Sequence, residues 1–186
     1  LNRHNCPMPI PTKLLHWVAS SKKDLMAMPQ DVQDTFGYAL HLAQIGQKHQ
    51  DAKPLKGFGG AGVLNRIALK SHRGQFRSSK MIEIEQGSGN VYADLQLPDA
   101  QTMYIKAQLA GQIGNIVRHR HLTQQQAADI LGITQPKLSG LLRGQFRGIS
   151  EAKLIECLNR LGRDVEIVVR KAPRSHPQGQ TQVVFA

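Results

Sequence analysis

Leu122–Gly144 reads LTQQQAADILGITQPKLSGLLRG, and the residue types in that run prescribe two short helices joined by a tight turn. Thr123 followed by Gln126 has the pattern of a capping box, in which hydroxyl and amide each satisfy a backbone N–H at a helix start. Ala128 is small, as a position closely crossed by a second helix must be. Gly132 supplies the left-handed conformation that ends the first helix. Thr134 is placed to cap the second helix, and Pro136 is tolerated in its first turn, where no intrahelical donor is needed. On that second helix Leu138, Leu141 and Leu142 fall within one arc of about 100° and face a core. Pro136, Ser139, Gly140 and Arg143 fall on the opposite side, flanked by Gln135 and Lys137. The outer ridge is therefore slim, polar and cationic.

Such a ridge has the chemistry to meet DNA. Glutamine makes a bidentate pair with adenine in the major groove and lysine reaches guanine, so Gln135, Lys137 and Ser139 are the candidate base readers. Arg143, and Gln124 at the start of the first helix, suit phosphate oxygens, where the helix amino termini add partial positive charge. Gly140 lowers helix propensity by about 1 kcal/mol relative to alanine, which suits a place where backbone approaches a partner closely. A formal net charge of +11 and a pI near 10.1 fit a polyanionic partner. The competing reading is a helical bundle that shares only the spacing. The Ala128, Gly132 and leucine pattern combined with the cationic ridge favours a DNA-binding helix-turn-helix.

Working outward, Ile105, Leu109, Ile113, Ile116 and Val117 mark one stripe of a helix over Tyr104–His119. Ser150–Leu161 reads as a further helix and Val165–Arg170 as a carboxy-terminal strand. Residues 81–103 combine a short alternating start, a Gly-Ser break and a Pro-Asp turn, and read as a mostly irregular arm or linker. Residues 171–186, rich in Pro, Gln and Gly, read as a disordered tail. The fold class that follows is mainly α, with a small, incomplete α+β segment at the amino-terminal end.

The run 122–144 resembles the helix-turn-helix of the XRE family, the Cro and lambda-repressor class. More narrowly, residues 81–170, including GRDVEIVVR after the last helix, resemble HigA-type antitoxins. That resemblance makes Gln124 a backbone-clamping glutamine and Gln135 a base-reading one. It places Lys137 and Ser139 in the groove, while Gly140 departs from the longer polar residue often found there. It also implies a lambda-repressor-like domain over 104–170, an autorepressor of a toxin-antitoxin operon, a homodimer and a palindromic double-stranded operator with half-sites about one DNA turn apart. The strand at 165–170 would pair with its twin or with residues 81–85, or would pack only within its own chain.

Residues 13–78 resemble the beginning of a HigB-type toxin of the RelE-like superfamily, through Trp17, Lys23, Asp24, Leu40, Gly46 and the run KPLKGFGGAGV at 53–63. That family comprises ribosome-dependent mRNA endonucleases, which makes a toxin fused to its antitoxin the alternative function and a cognate RelE/HigB-like toxin the implied protein partner. The further strands of such a toxin, which carry its catalytic residues, are missing here, because GQFRSSK runs straight into MIEIEQ. Met81 thus reads as an original start joined to an inactive remnant, residues 1–80, whose sheet keeps an open edge. Within it KLLHWVAS (13–20) reads as a strand, and Ser20 or Ser21 as the cap of a helix through Met28. A second helix begins near Pro29, with Val32, Phe36, Ala39, Leu40 and Ala43 on its buried face and Gly46 as its stop. VLNRIALK (63–70) reads as a strand that SHRG turns into a second, QFRSS.

Nothing else in the chain asks for catalysis, a cofactor or a metal. His72, Arg73 and Arg77 form a basic cluster that reads as a solvated hairpin turn, the alternative being a group that positions a phosphate or acts as acid and base. The glycines at 57, 59, 60 and 62 lack the GK[ST] of a phosphate loop. His16, His41 and His49 lack metal-ligand spacing, which leaves surface or packing roles, and Trp17 reads as core. Two distant thiols, Cys6 and Cys157, form no disulfide framework and suit a reduced, cytoplasmic setting. The first residues, LNRHNCPMPIP, have no apolar secretory core, and no run of about 18 apolar residues offers a membrane span. Charge is uneven: residues 1–80 hold 12 Lys and Arg against four Asp and no Glu, whereas residues 81–186 hold 12 against nine acids. That shift supports two segments of different origin, the second of which is the expected regulator.

Overall fold

The computed structural model describes residues 13–53, 66–67, 84–172 and 179–185. Those residues are mainly helical, in the order β1 (His16–Val18), α1 (Ser21–Met26), α2 (Gln30–Gln44), β2 (Ala52–Lys53), β3 (Arg66–Ile67), β4 (Ile84–Gln86), α3 (Val91–Asp94), α4 (Ala100–His119), α5 (Gln124–Leu131), α6 (Gln135–Leu142) and α7 (Glu151–Arg160). The predicted cluster at 72–77, the glycines at 57–62, Cys6 and the strand QFRSS lie outside the described residues.

The core forms around α4. Apolar or small residues occupy most of its circumference: Met103, Ala107, Ala110, Ile113 and Gly114 are buried as well as Leu109, Ile116 and Val117. A helix that buries more than one stripe must be enclosed, and α2, α3, α6 and α7 all pack against it. Leu131, Leu138, Leu141, Phe146, Leu154 and Leu161 close the same core from the following elements. The helix starts at Ala100 rather than at Tyr104, because Asp99 and the Leu97 turn before it already fix the chain.

The segment read as an irregular arm, 81–103, is ordered where it is described. Asn90 caps α3, its side chain accepting from Tyr92 N–H (3.1 Å) and Ala93 N–H (3.3 Å), and Val91, Tyr92 and Leu95 are buried. Upstream, β4 pairs antiparallel with β1, Trp17 standing opposite Glu85. One edge of β1 is thus paired with a strand from beyond Met81, in a sheet of two strands. Trp17 itself is core, as the sequence suggested, and its indole Nε1 donates to the largely buried Asp94 Oδ2 at 3.1 Å. Replacing Trp17 by phenylalanine would remove the donor and part of the packing. The expected loss is about 2 kcal/mol of unfolding free energy, measured by denaturant titration; an unchanged midpoint would contradict this junction.

Helix α2 lies close to its predicted place but is turned. Its inward residues are Asp34, Gly37, Tyr38, His41, Leu42 and Gln44, while Ala43 is exposed and Val32, Phe36, Ala39 and Leu40 are only half-buried. The surface it meets explains the correction. Arg147 Nη2 lies 2.7 Å from Asp34 Oδ1, and Arg147 also bonds Asp99. Tyr38 packs edge-on against Phe146 with ring centroids 5.3 Å apart. Gly37 leaves room for the Tyr92 ring. Asp34 turns inward because the opposing surface supplies its partner, whereas the His41 ring nitrogens and Gln44 Oε1 are buried without one among the described residues.

At the carboxy-terminal end the predicted strand Val165–Arg170 carries no ladder. Its alternation is present, but it joins neither two-stranded sheet among the described residues, and Ile167 and Val169 stand 77% and 92% exposed. The stretch read as a disordered tail returns to the body at residues 179–185, where Val183 packs on the core and Thr181 C=O accepts from Gln101 Nε2 at 2.9 Å.

Candidate nucleic-acid interface

The helix-turn-helix is assembled by the local signals that predict it. Thr123 Oγ1 accepts from Gln126 N–H, and Gln126 Oε1 accepts from Thr123 N–H at 3.0 Å, completing the capping box. Ala127 and Ala128 are fully buried where α5 meets its neighbours. Gly132 ends α5 at φ 64°, the left-handed conformation the turn needs. Thr134 holds the N-cap position of α6 but makes no side-chain cap. A cap would accept from the second or third N–H of the helix, and Pro136 has removed the first of these.

Leu138 and Leu141 are buried and Leu142 half-buried, so α6 presents its opposite side outward. Thr134, Pro136, Lys137 and Arg143 are exposed on that side. Gln135 is half-buried and its Nε2 donates to Gln124 Oε1 at 2.7 Å, which ties together the starts of α5 and α6. Ser139 departs from expectation: it is 9% exposed, not an outward residue. At about 100° per residue it lies at the edge of the leucine arc, on the side of Leu142 and Gln135, where a short side chain is easily covered. Gly140 is half-buried, and a Cβ built on it would meet only Gln145, at an ordinary 3.5 Å. Nothing among the described residues demands glycine there.

Three residues that sequence reasoning did not connect to this ridge lie against it. His49 is buried, packs edge-on against Tyr38 (centroids 5.9 Å apart), and its Nε2 stands 3.3 Å from the Arg143 carbonyl. Burial pulls its imidazole below the ordinary value, against the opposing pull of that carbonyl and of Asp51. Gln50 Oε1 accepts from Gln124 Nε2 at 3.5 Å, and Asp51 Oδ2 lies 3.7 Å from Arg143 Nε. No spacing rule links positions some 75 to 95 residues apart, so the sequence carried no sign of them. The packing role expected for His41 is met against Tyr104, ring centroids 5.4 Å apart, and His16 is exposed on β1.

Among the described residues no helix is long and apolar enough to cross a membrane. Residues 91–170 match the family model of a helix-turn-helix domain. A solved structure described as an XRE family transcriptional regulator is 42% identical, over 48% of this chain and the whole of that one, with a TM-score of 0.45. No curated protein matches. With that identity across the full length of the regulator, and with the α5–Gly132–α6 unit inside the matched span, the chain belongs, through its carboxy-terminal half, to the XRE family of helix-turn-helix regulators.

Proposed function

We propose that this DNA-binding regulator is an antitoxin-like autorepressor that reads a palindromic operator as a homodimer. The observation that carries the reading is the exposed ridge of α6, with Lys137 and Arg143 outward and Gln135 bonded to Gln124 across the turn. Gln135 and Lys137 are the base readers, Gln124 and Arg143 the phosphate contacts, with Thr134 at the helix start. Ser139, largely covered, is left a minor contact at most, and Gly140 lets the α6 backbone approach the groove. Ile167 and Val169, exposed on an unpaired extended stretch, supply apolar surface for a second copy. In this reading the amino-terminal segment is a retained piece of a RelE/HigB-like toxin lying on the domain that would oppose it, and the chain is a regulator rather than a ribonuclease.

The test is a gel-shift titration against the DNA immediately upstream of its own gene. Gln135→Ala should weaken binding by about 1–3 kcal/mol, roughly 5- to 150-fold, and relax preference at the base it reads. Binding by the wild-type protein should fall steeply with salt, because each neutralised phosphate releases counterions. Unchanged affinity and sequence preference in the variant would refute the assignment of the reading face.

A further inference from the structure

The amino-terminal segment reaches the DNA ridge through one tight turn. Asp51 N–H donates to His49 Nδ1 at 3.2 Å and Ala52 N–H to the His49 carbonyl at 3.0 Å, so residues 49–52 are held in fixed relation. The turn is anchored, because His49 is buried against Tyr38, which is packed in turn on Phe146. From that anchor the next two side chains reach the two groups assigned to DNA phosphate. The Gln50 amide oxygen accepts from Gln124 and the Asp51 carboxylate faces Arg143.

Chemically, these are what a phosphate offers: an acceptor oxygen for an amide donor, and a negative charge beside a guanidinium. We propose that residues 49–51 are an internal competitor for DNA phosphate, with Gln50 and Asp51 occupying the donors of Gln124 and Arg143 until a duplex displaces them. The inference rests on the DNA-binding reading above and adds a regulatory role for the amino-terminal segment. Arg143 and Asp51 are each 49% exposed, so their attraction is screened and readily exchanged. The competitor therefore lowers affinity without abolishing it. Asp51 acts twice: it holds Arg143, and it repels phosphates that come within the screening length of about 10 Å at 0.1 M salt.

The experiment measures fluorescence anisotropy of a labelled 30-base-pair random-sequence duplex, so no operator need be known. The proteins compared are the full chain, Asp51→Asn, Asp51→Ala and Gln50→Ala, with Asp31→Asn as the control. Asp31 is exposed at the start of α2 and bonds neither Gln124 nor Arg143. At 0.1 M salt both Asp51 variants should bind about three- to tenfold more tightly, and their plot of log affinity against log salt should steepen by about 0.9, the value of one added phosphate contact. Gln50→Ala should tighten binding less and leave the slope nearly unchanged, since it removes no charge. If Asp51→Asn and Asp51→Ala behave as Asp31→Asn does, the competitor does not exist, although DNA binding stands. If no protein in the set binds the duplex at low salt, the DNA-binding reading falls and this inference with it.

Discussion

Replacing Gly144 by valine is expected to lift α2 from the regulator body and to cost about 2–5 kcal/mol of stability. Gly144 follows α6 at φ 94°, in the left-handed half of backbone space, where a β-branched residue is a genuine outlier. That conformation alone costs roughly 1–2 kcal/mol for a residue with a Cβ. A Cβ there would also stand 2.6 Å from Tyr38 Cβ and 3.1 Å from the Asp34 carbonyl oxygen. Neither atom is the end of a flexible side chain; both move only if α2 moves. Overpacking of this kind adds about 1–3 kcal/mol. Denaturant unfolding reads the total, and amide exchange across 30–44 reads where it falls: those amides should lose protection before those of 105–117. Retained protection of α2, with a loss under about 1 kcal/mol, would mean that α2 does not rest on this glycine.

Readable elements and unreadable ones separate by the range of the interaction that makes them. The capping box, the Gly132 turn and the leucine arc lie within 23 residues, and each signal acts on its own neighbours. The positions read as cap and stop, Thr123, Gly132 and Thr134, accordingly bound α5 and open α6. The buried face of α2 was hidden because its partners are remote: Asp34 is satisfied by Arg147, 113 positions away, and an apolar stripe is a poor guide when the far surface offers a guanidinium. Helix α3 is too short to display a period at all, and β4 showed only the short alternation of MIEIEQ. For α3 the signal was the Asn90 cap ahead of an apolar pair, a local sign outweighed by the Gly-Ser and Pro-Asp breaks on either side. Val165–Arg170 failed in the opposite way. Its alternation is real, but a strand needs a ladder, and among the described residues this stretch joins neither two-stranded sheet. The same distinction governs the ridge: Pro136, Lys137 and Arg143 were legible as outward from the helix period and Ser139 was not, whereas Gln50 and Asp51 reach it only through the packing of α2.

Acid should loosen the protein well above the pH at which carboxylates ordinarily protonate. His41 is 1% exposed, faces Tyr104 edge-on, and neither ring nitrogen has a hydrogen-bond partner among the described residues. Burial disfavours its cation, and the imidazole is pulled from 6.5 down to about 4. The sign follows from which state takes the proton first. Above about pH 6.5 both folded and unfolded chains hold a neutral ring, and His41 introduces no pH dependence. Between 6.5 and about 4 the unfolded chain is protonated and the folded one is not, so stability falls as pH falls, by about 1.4 kcal/mol per unit and about 3 kcal/mol in all. Below about 4 the folded ring is protonated too, and this loss levels off. His49, lowered by the same cause, adds in the same direction. Unfolding free energies measured from pH 7.5 to 4 should show this slope, and His41→Leu should flatten most of it, because an apolar side chain of similar reach takes up no proton. A slope as steep in His41→Leu as in the wild type would show that the ring is solvated and that α2 does not seal it against α4.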